Sequence, residues 1–132
     1  MNGYLLDTHI WLWSLVEPHR LNQKVKHILE DNNAVLWLSP ISVWEALLLG
    51  EKKAIDMAPN PHSWVRTAIS KTPIQETPFS FEIAFMSREL SLRHNDPADR
   101  FIAATAYVHD LILITADQYL LQCKAIKNLK GV

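Results

Sequence analysis

Four acidic residues in this 132-residue chain occupy settings that a solvated surface carboxylate does not need. Asp7 closes the short apolar run Tyr4-Leu5-Leu6, and Asp117 follows Leu113-Ile114-Thr115 with one residue between. Glu45 lies inside the apolar stretch 41–49, and Asp99 stands near the start of the alanine-rich stretch that Asp96-Pro97 opens. If the four converge, their repulsion dictates what the site must contain. Two unit charges about 4 Å apart cost about 4 kcal/mol at an effective dielectric near 20. Relief comes from protonation, a paired cation or a bound divalent ion. All-oxygen donors favour Mg²⁺ or Mn²⁺ over zinc, and Mg²⁺ commonly takes a few carboxylates together with water and substrate phosphate. Phosphodiester hydrolysis is the matching chemistry: the ion acidifies a bound water and neutralises charge in the in-line transition state. A carboxylate nearby can accept the proton of the attacking water.

Simpler roles stand beside these. Asp7 can cap a following helix, and Asp96 and Asp99 fit a cap around a first-turn proline. Metal binding is favoured for Asp7 and Asp99, since a capping residue can still face a cleft, and capping is favoured for Asp96. Glu45 is either a ligand or a solvated helix residue, and Asp117 either a ligand or a turn residue. The six histidines show no His-x-x-x-His pairing and the single Cys123 permits no Cys-x-x-Cys, which disfavours zinc chemistry. His9 reads as a local packing residue. Trp11, Trp37 and Trp44 fall in apolar segments and read as core, whereas Trp13 and Trp64 stay open as partner contacts. Arg100 reads as a solvated surface charge, or could bind phosphate or pair with a site carboxylate. Arg93, Lys52 and Lys53 could line a groove, and Lys124, Lys127 and Lys130 form a modest basic patch able to hold RNA.

These residues need a scaffold that brings distant positions to one edge. Apolar runs predict strands over 3–6, 34–38 and 111–115, with extended pieces at 74–76 and 125–127. Helical spacing predicts helices over 10–16, 21–32, 62–70, 81–90, 98–108 and 118–122. A further helix starts at the Ser39-Pro40 cap and stops at Gly50. Strands that are apolar throughout and alternate with helices imply an α/β fold, a parallel sheet covered on both faces. In such sheets ligands sit beyond the carboxyl ends of the strands, where Asp7 and Asp117 fall.

Composition limits the class further. With 48% hydrophobic and 20% charged residues the chain is expected to pack as one domain over 1–132. Thirteen Lys and Arg against fourteen Asp and Glu, a formal net charge of -1, exclude a histone-like coating protein. One cysteine argues against a disulfide-stapled secreted scaffold, no apolar run is long enough to span a membrane, and no signal peptide is read, so the cytoplasm is the expected location.

Taken together, Leu5-Leu6-Asp7-Thr8-His9, Ser42-Val43-Trp44-Glu45, the run Asp96 to Ala106 and Ile114-Thr115-Ala116-Asp117 resemble the four acidic motifs of PIN-domain ribonucleases, and most of all the VapC-type toxins. The order and spacing match over essentially the whole chain. The resemblance implies a three-layer α/β/α sandwich with a central parallel sheet, Mg²⁺- or Mn²⁺-dependent endoribonuclease activity on RNA, homodimers, and inhibition by a cognate antitoxin. It places Asp7, Glu45, Asp99 and Asp117 on the family's acidic positions and Thr115 on a supporting hydroxyl position, and leaves the choice between Asp96 and Asp99 as direct ligand open. The alternatives are a PIN-type nuclease for RNA processing or for DNA, and a non-catalytic α/β metal-binding or interaction module. A receiver domain is disfavoured because Ala116-Asp117 stands where its lysine belongs, and a haloacid-dehalogenase phosphatase because His9 replaces its second aspartate.

Overall fold

Short polar side chains decide where the helices begin. The computed structural model describes residues 2–93 and 95–132. In chain order it forms β1 (Tyr4–Leu6), α1 (Thr8–Val16), a 3₁₀ turn (Pro18–Arg20), α2 (Gln23–Glu30), β2 (Leu36–Leu38), α3 (Pro40–Glu51) and α4 (Pro61–Lys71). There follow β3 (Ile74–Glu76), α5 (Phe81–Glu89), α6 (Pro97–His109), β4 (Ile112–Thr115), α7 (Gln118–Leu121) and β5 (Asn128–Lys130). Among the described residues all seven α-helices carry a side-chain N-cap: Asp7, Asn22, Ser39, Asn60, Ser80, Asp96 and Asp117 accept from backbone N–H groups that the helix itself cannot satisfy. Pro40, Pro61 and Pro97 occupy the first positions of α3, α4 and α6, where a missing N–H costs nothing.

The five strands form one sheet in the order β3-β2-β1-β4-β5, and every pair is parallel. Alternate side chains leave opposite faces. Leu5 and Leu113 pack with Ile83, Ile102, Ala103 and Leu120 on the α5–α7 side. Leu6, Leu38 and Ile114 pack with Ile10, Trp11, Val25 and Val65 on the α1–α4 side. Both faces are therefore dry, which gives the expected three layers. Each fully buried Leu or Ile contributes roughly 1.5–3 kcal/mol. From β1 the chain steps outward to β2 and β3, then crosses back to β4 on the far side of β1. The reversal falls between β1 and β4, where crossovers diverge to opposite faces and leave a crevice.

The sheet edge is tight at its amino end. Gly3 has φ +121°, and an added Cβ would lie 2.2 Å from the carbonyl oxygen of Val35, so only glycine lets β1 approach β2 there.

Three local expectations are corrected. The last strand is not 125–127 but Asn128–Lys130, because Cys123 and Ile126 turn into the core and the register is set by Leu113 against Asn128 and Thr115 against Lys130. Gly50 does not stop its helix: it lies inside α3, and a Cβ there would press on Met57 and Pro61, 2.5 and 2.9 Å away. Trp44 is not core. It is 52% exposed, while Trp11 is fully buried and Trp37 partly so.

Candidate active site

Asp7 sits one residue beyond β1, and its backbone N–H continues the sheet by donating to Ile114 of β4 at 3.0 Å. Its carboxylate is 7% exposed. One oxygen accepts from the Thr8 N–H at 2.9 Å as the cap of α1, and the other accepts from the Thr115 hydroxyl at 2.6 Å. Capping and facing the cleft are thus one role, since the residue that ends a strand here also begins a helix.

Glu45 is brought from α3. Thr8 Oγ1 donates to Glu45 Oε1 and lies 2.9 Å from Ser42 Oγ, one helical turn before Glu45. Thr8 and Ser42 are buried, so this pair aims the glutamate from beneath. Neither hydroxyl was singled out from sequence. The signals were a Thr directly after a strand-end Asp, and a Ser at i−3 of the glutamate, which a helix places on the same face.

Asp96 and Asp99 come from the start of α6. Asp96 Oδ1 accepts from the N–H groups of Ala98 at 3.0 Å and Asp99 at 3.4 Å, the geometry of a cap. Asp99 stands in the first turn. Asp117 caps α7 through bonds from Tyr119 at 2.8 Å and Leu120 at 3.1 Å, and its own N–H donates to Thr115 Oγ1. Thr115 therefore ties Asp7 to Asp117 from below. The N-termini of α1 and α6 both open on the cleft, where their partial positive charge offsets part of the carboxylate repulsion.

Asp7, Glu45, Asp96, Asp99 and Asp117 line one cleft of about 360 Å³, with His9, Trp13 and Ala116 completing its wall. Burial is the main reason that the carboxyls of Asp7, Glu45 and Asp99 all titrate above their ordinary range. Hydrogen bonds from Thr115 and Thr8 hold Asp7 down in part, and the Thr8 hydroxyl does so for Glu45. Asp99 is pushed up to about 8, first by burial and then by the charges of Asp7, Asp96, Asp117 and Glu45. These four charges are the other carboxylates of the same cleft.

Arg100 turns away from this group. It is buried, and its guanidinium donates to the Leu90 carbonyl at 3.2 and 3.4 Å, bracing the connection from α5 to α6. That follows from helix geometry, because adjacent residues on α6 project about 100° apart. Of the basic tail, Lys127 pairs with Asp110 at 3.0 Å.

The chain is similar to known proteins over nearly its full length. It matches the PIN domain family over residues 4–125. It is 32% identical over 127 residues to Ribonuclease VapC22 of Mycobacterium tuberculosis, covering 91% of each. The fold overlays that of VapBC2 from Rickettsia felis bound to a promoter DNA fragment, with a TM-score of 0.75, 19% identity and full coverage of both chains. It likewise overlays DNA-bound VapBC from Salmonella typhimurium, with a TM-score of 0.70, 17% identity and 98% of each chain covered. With the family match spanning residues 4–125 and the relative covered over 91% of its length, this chain belongs to the PIN-domain family.

Proposed function

We propose that the chain is an endoribonuclease of the VapC type, dependent on Mg²⁺ or Mn²⁺, acting as the toxin of a toxin–antitoxin pair. The observation that carries this reading is the convergence of five carboxylates on a cleft at the β1/β4 reversal. The 32% identity to Ribonuclease VapC22 over most of both chains supports it. The residues suit a hard divalent cation. The donors are oxygens, and Glu45, Asp7 and Asp99 are already strained toward protonation by burial and by like charge. Among the described residues no three His, Cys, Asp or Glu groups close into a ready-made cage. The carboxylates would therefore act on an ion largely through its bound waters, as Mg²⁺ binding allows.

Asp7, Glu45, Asp99 and Asp117 would hold the ion, with Asp96 capping α6 beside them. When bound, a divalent cation lowers the pKa of a coordinated water and neutralises charge on the transferred phosphoryl group. The chain's own residues do the rest. Thr8 and Thr115 lock the orientations of Glu45 and Asp7, so little reorganisation is needed when charge develops. A carboxylate of the cleft that the ion does not fully engage can accept the proton of the attacking water. An antitoxin chain and a second copy are the proposed protein partners, and the cytoplasm the proposed location. Among the described residues no helix is long and apolar enough to cross a membrane.

Incubating the purified chain with structured RNA in Mg²⁺, in Mn²⁺ and in chelator, beside Asp99→Asn, tests the reading. Cleavage that requires both the ion and Asp99 is expected. A folded, inhibitor-free chain that cuts nothing under any of these conditions overturns it.

A further inference from the structure

The carboxylate cleft does not end at Glu45. A second cavity of about 230 Å³ adjoins it and shares His9, Glu45 and Asp96 with it. Its far wall is the face of α3 that carries Trp44, Leu48 and Lys52 at four-residue intervals. Trp44 is 52% exposed, an indole left half in water on a helix whose neighbouring positions Ser42 and Ala46 are buried. In the carboxylate cleft Trp13 is held by two contacts: the Arg20 guanidinium carbon lies 4.0 Å from the ring centroid, and the His9 ring centroid lies 5.5 Å away. Arg20 also forms a partly exposed ion pair with Glu17 at 3.5 Å, which water and salt weaken readily. Two indoles, Trp13 and Trp44, thus line the joined cavities together with the carboxylates.

We infer that Trp44 is a base-stacking subsite for single-stranded RNA, with Lys52 receiving the phosphate beyond it. The inference rests on the ribonuclease reading and adds the residues that position the substrate. A half-exposed indole offers a π-face that any unstacked base can cover, worth about 1–3 kcal/mol per base. The cavity is smaller than the roughly 300–1,000 Å³ of sites that enclose a whole small-molecule ligand. It suits one flat group whose backbone continues outside. Continuity with the carboxylate cleft favours a base over a protein side chain: a nucleotide seated on Trp44 leads directly to a phosphodiester above Glu45. A lysine at the outer end supplies the charge that the next phosphate needs.

Fluorescence anisotropy of a fluorescein-labelled, mixed-sequence single-stranded RNA 12-mer, titrated with the Asp7→Asn chain in Mg²⁺, reads binding without turnover. Adding Trp44→Ala to that background is expected to weaken binding about 5- to 150-fold, and Trp44→Phe to restore most of it. Lys52→Ala should lower the slope of log K against log salt by about one. Binding of the blunt duplex should not sense Trp44→Ala, because its bases are already stacked. Unchanged 12-mer binding in Trp44→Ala, or an equal loss for duplex, overturns the subsite. Unchanged binding is also what a protein partner covering Trp44 would produce. The two readings fail separately: a native chain that binds the 12-mer through Trp44 yet cuts neither it nor structured RNA in Mg²⁺ or Mn²⁺ upholds the subsite and overturns the ribonuclease reading.

Discussion

Leu6 and Asp7 are adjacent in sequence and line two different hollows. Leu6, with Trp11, Leu15, Leu21, Leu29 and Ile74, lines an apolar hollow of about 600 Å³ between α1, α2 and the β2–β3 side of the sheet. Asp7 lines the carboxylate cleft, little more than half that size at about 360 Å³. The larger hollow has Lys26 and Glu30 among its lining residues. In the smaller one three carboxyls are pushed up together. Size therefore does not locate the chemistry. A β-strand sends successive side chains to opposite sides, and at its carboxyl end the next residue can leave the sheet for the crevice.

The sharpest way to break the contrast is to neutralise each region in turn. Asp99→Asn or Asp7→Asn should lower the RNA cleavage rate by at least about 100-fold, the upper end of what a lost partner of a metal ligand costs. The melting temperature should stay level or rise, since a buried charge is removed. Cleavage rate and thermal unfolding measured on the same preparation check both halves, and activity retained in either variant would remove the cleft from the mechanism. Leu21→Ala, in the apolar hollow, should do the reverse. Leu21 is 4% exposed, so its truncation should cost about 2–4 kcal/mol in urea unfolding, with kcat/KM per folded molecule unchanged.

Smaller effects sharpen the picture within the cleft. Thr8→Val keeps the shape but removes the hydroxyl that aims Glu45, and about a tenfold loss of kcat is expected. Thr8→Ser should recover most of it. The pH dependence of stability has a definite sign. Asp7, Glu45 and Asp99 titrate higher in the folded chain than unfolded, so the folded state holds more protons between about pH 4 and 8. In chelator the stability these groups confer is complete at low pH and declines as pH rises through the folded value of about 8 for Asp99. The slope should stay below about 1.4 kcal/mol per pH unit per proton, reduced by the partial solvation of Asp99. Mg²⁺ should raise the melting temperature more at pH 8 than at pH 5. A stability that instead increases from pH 5 to 8 in chelator would contradict the raised carboxyls.

Much of the scaffold was legible because its signals are local. Ser39-Pro40 and Asp96-Pro97 mark helix starts through the bonds of one residue to the next two or three, and Leu113-Ile114 is too apolar to lie anywhere but between two layers. The acids were legible for a related reason: Asp7 and Asp117 end strands, and parallel strands end at one edge. Other features carry no local mark. Whether Trp44 is core or surface depends on where α3 meets α6 and α4, and the rotation of a nearly all-apolar helix cannot be read from its pattern. Arg100 follows Asp99 in sequence but reaches Leu90, a contact made by the fold.

The sequence by itself determined the alternation of strands and helices, the caps, and which carboxylates stand at chain positions able to meet, because these follow from propensity, hydrogen-bonding capacity and period. Only the tertiary structure decided that Thr8, Ser42 and Thr115 hold those carboxylates, that Asp99 is lifted to about 8, and that the indole of Trp44 faces water beside them. Those outcomes depend on distances between residues far apart in the chain, and on the burial and mutual repulsion that only packing creates.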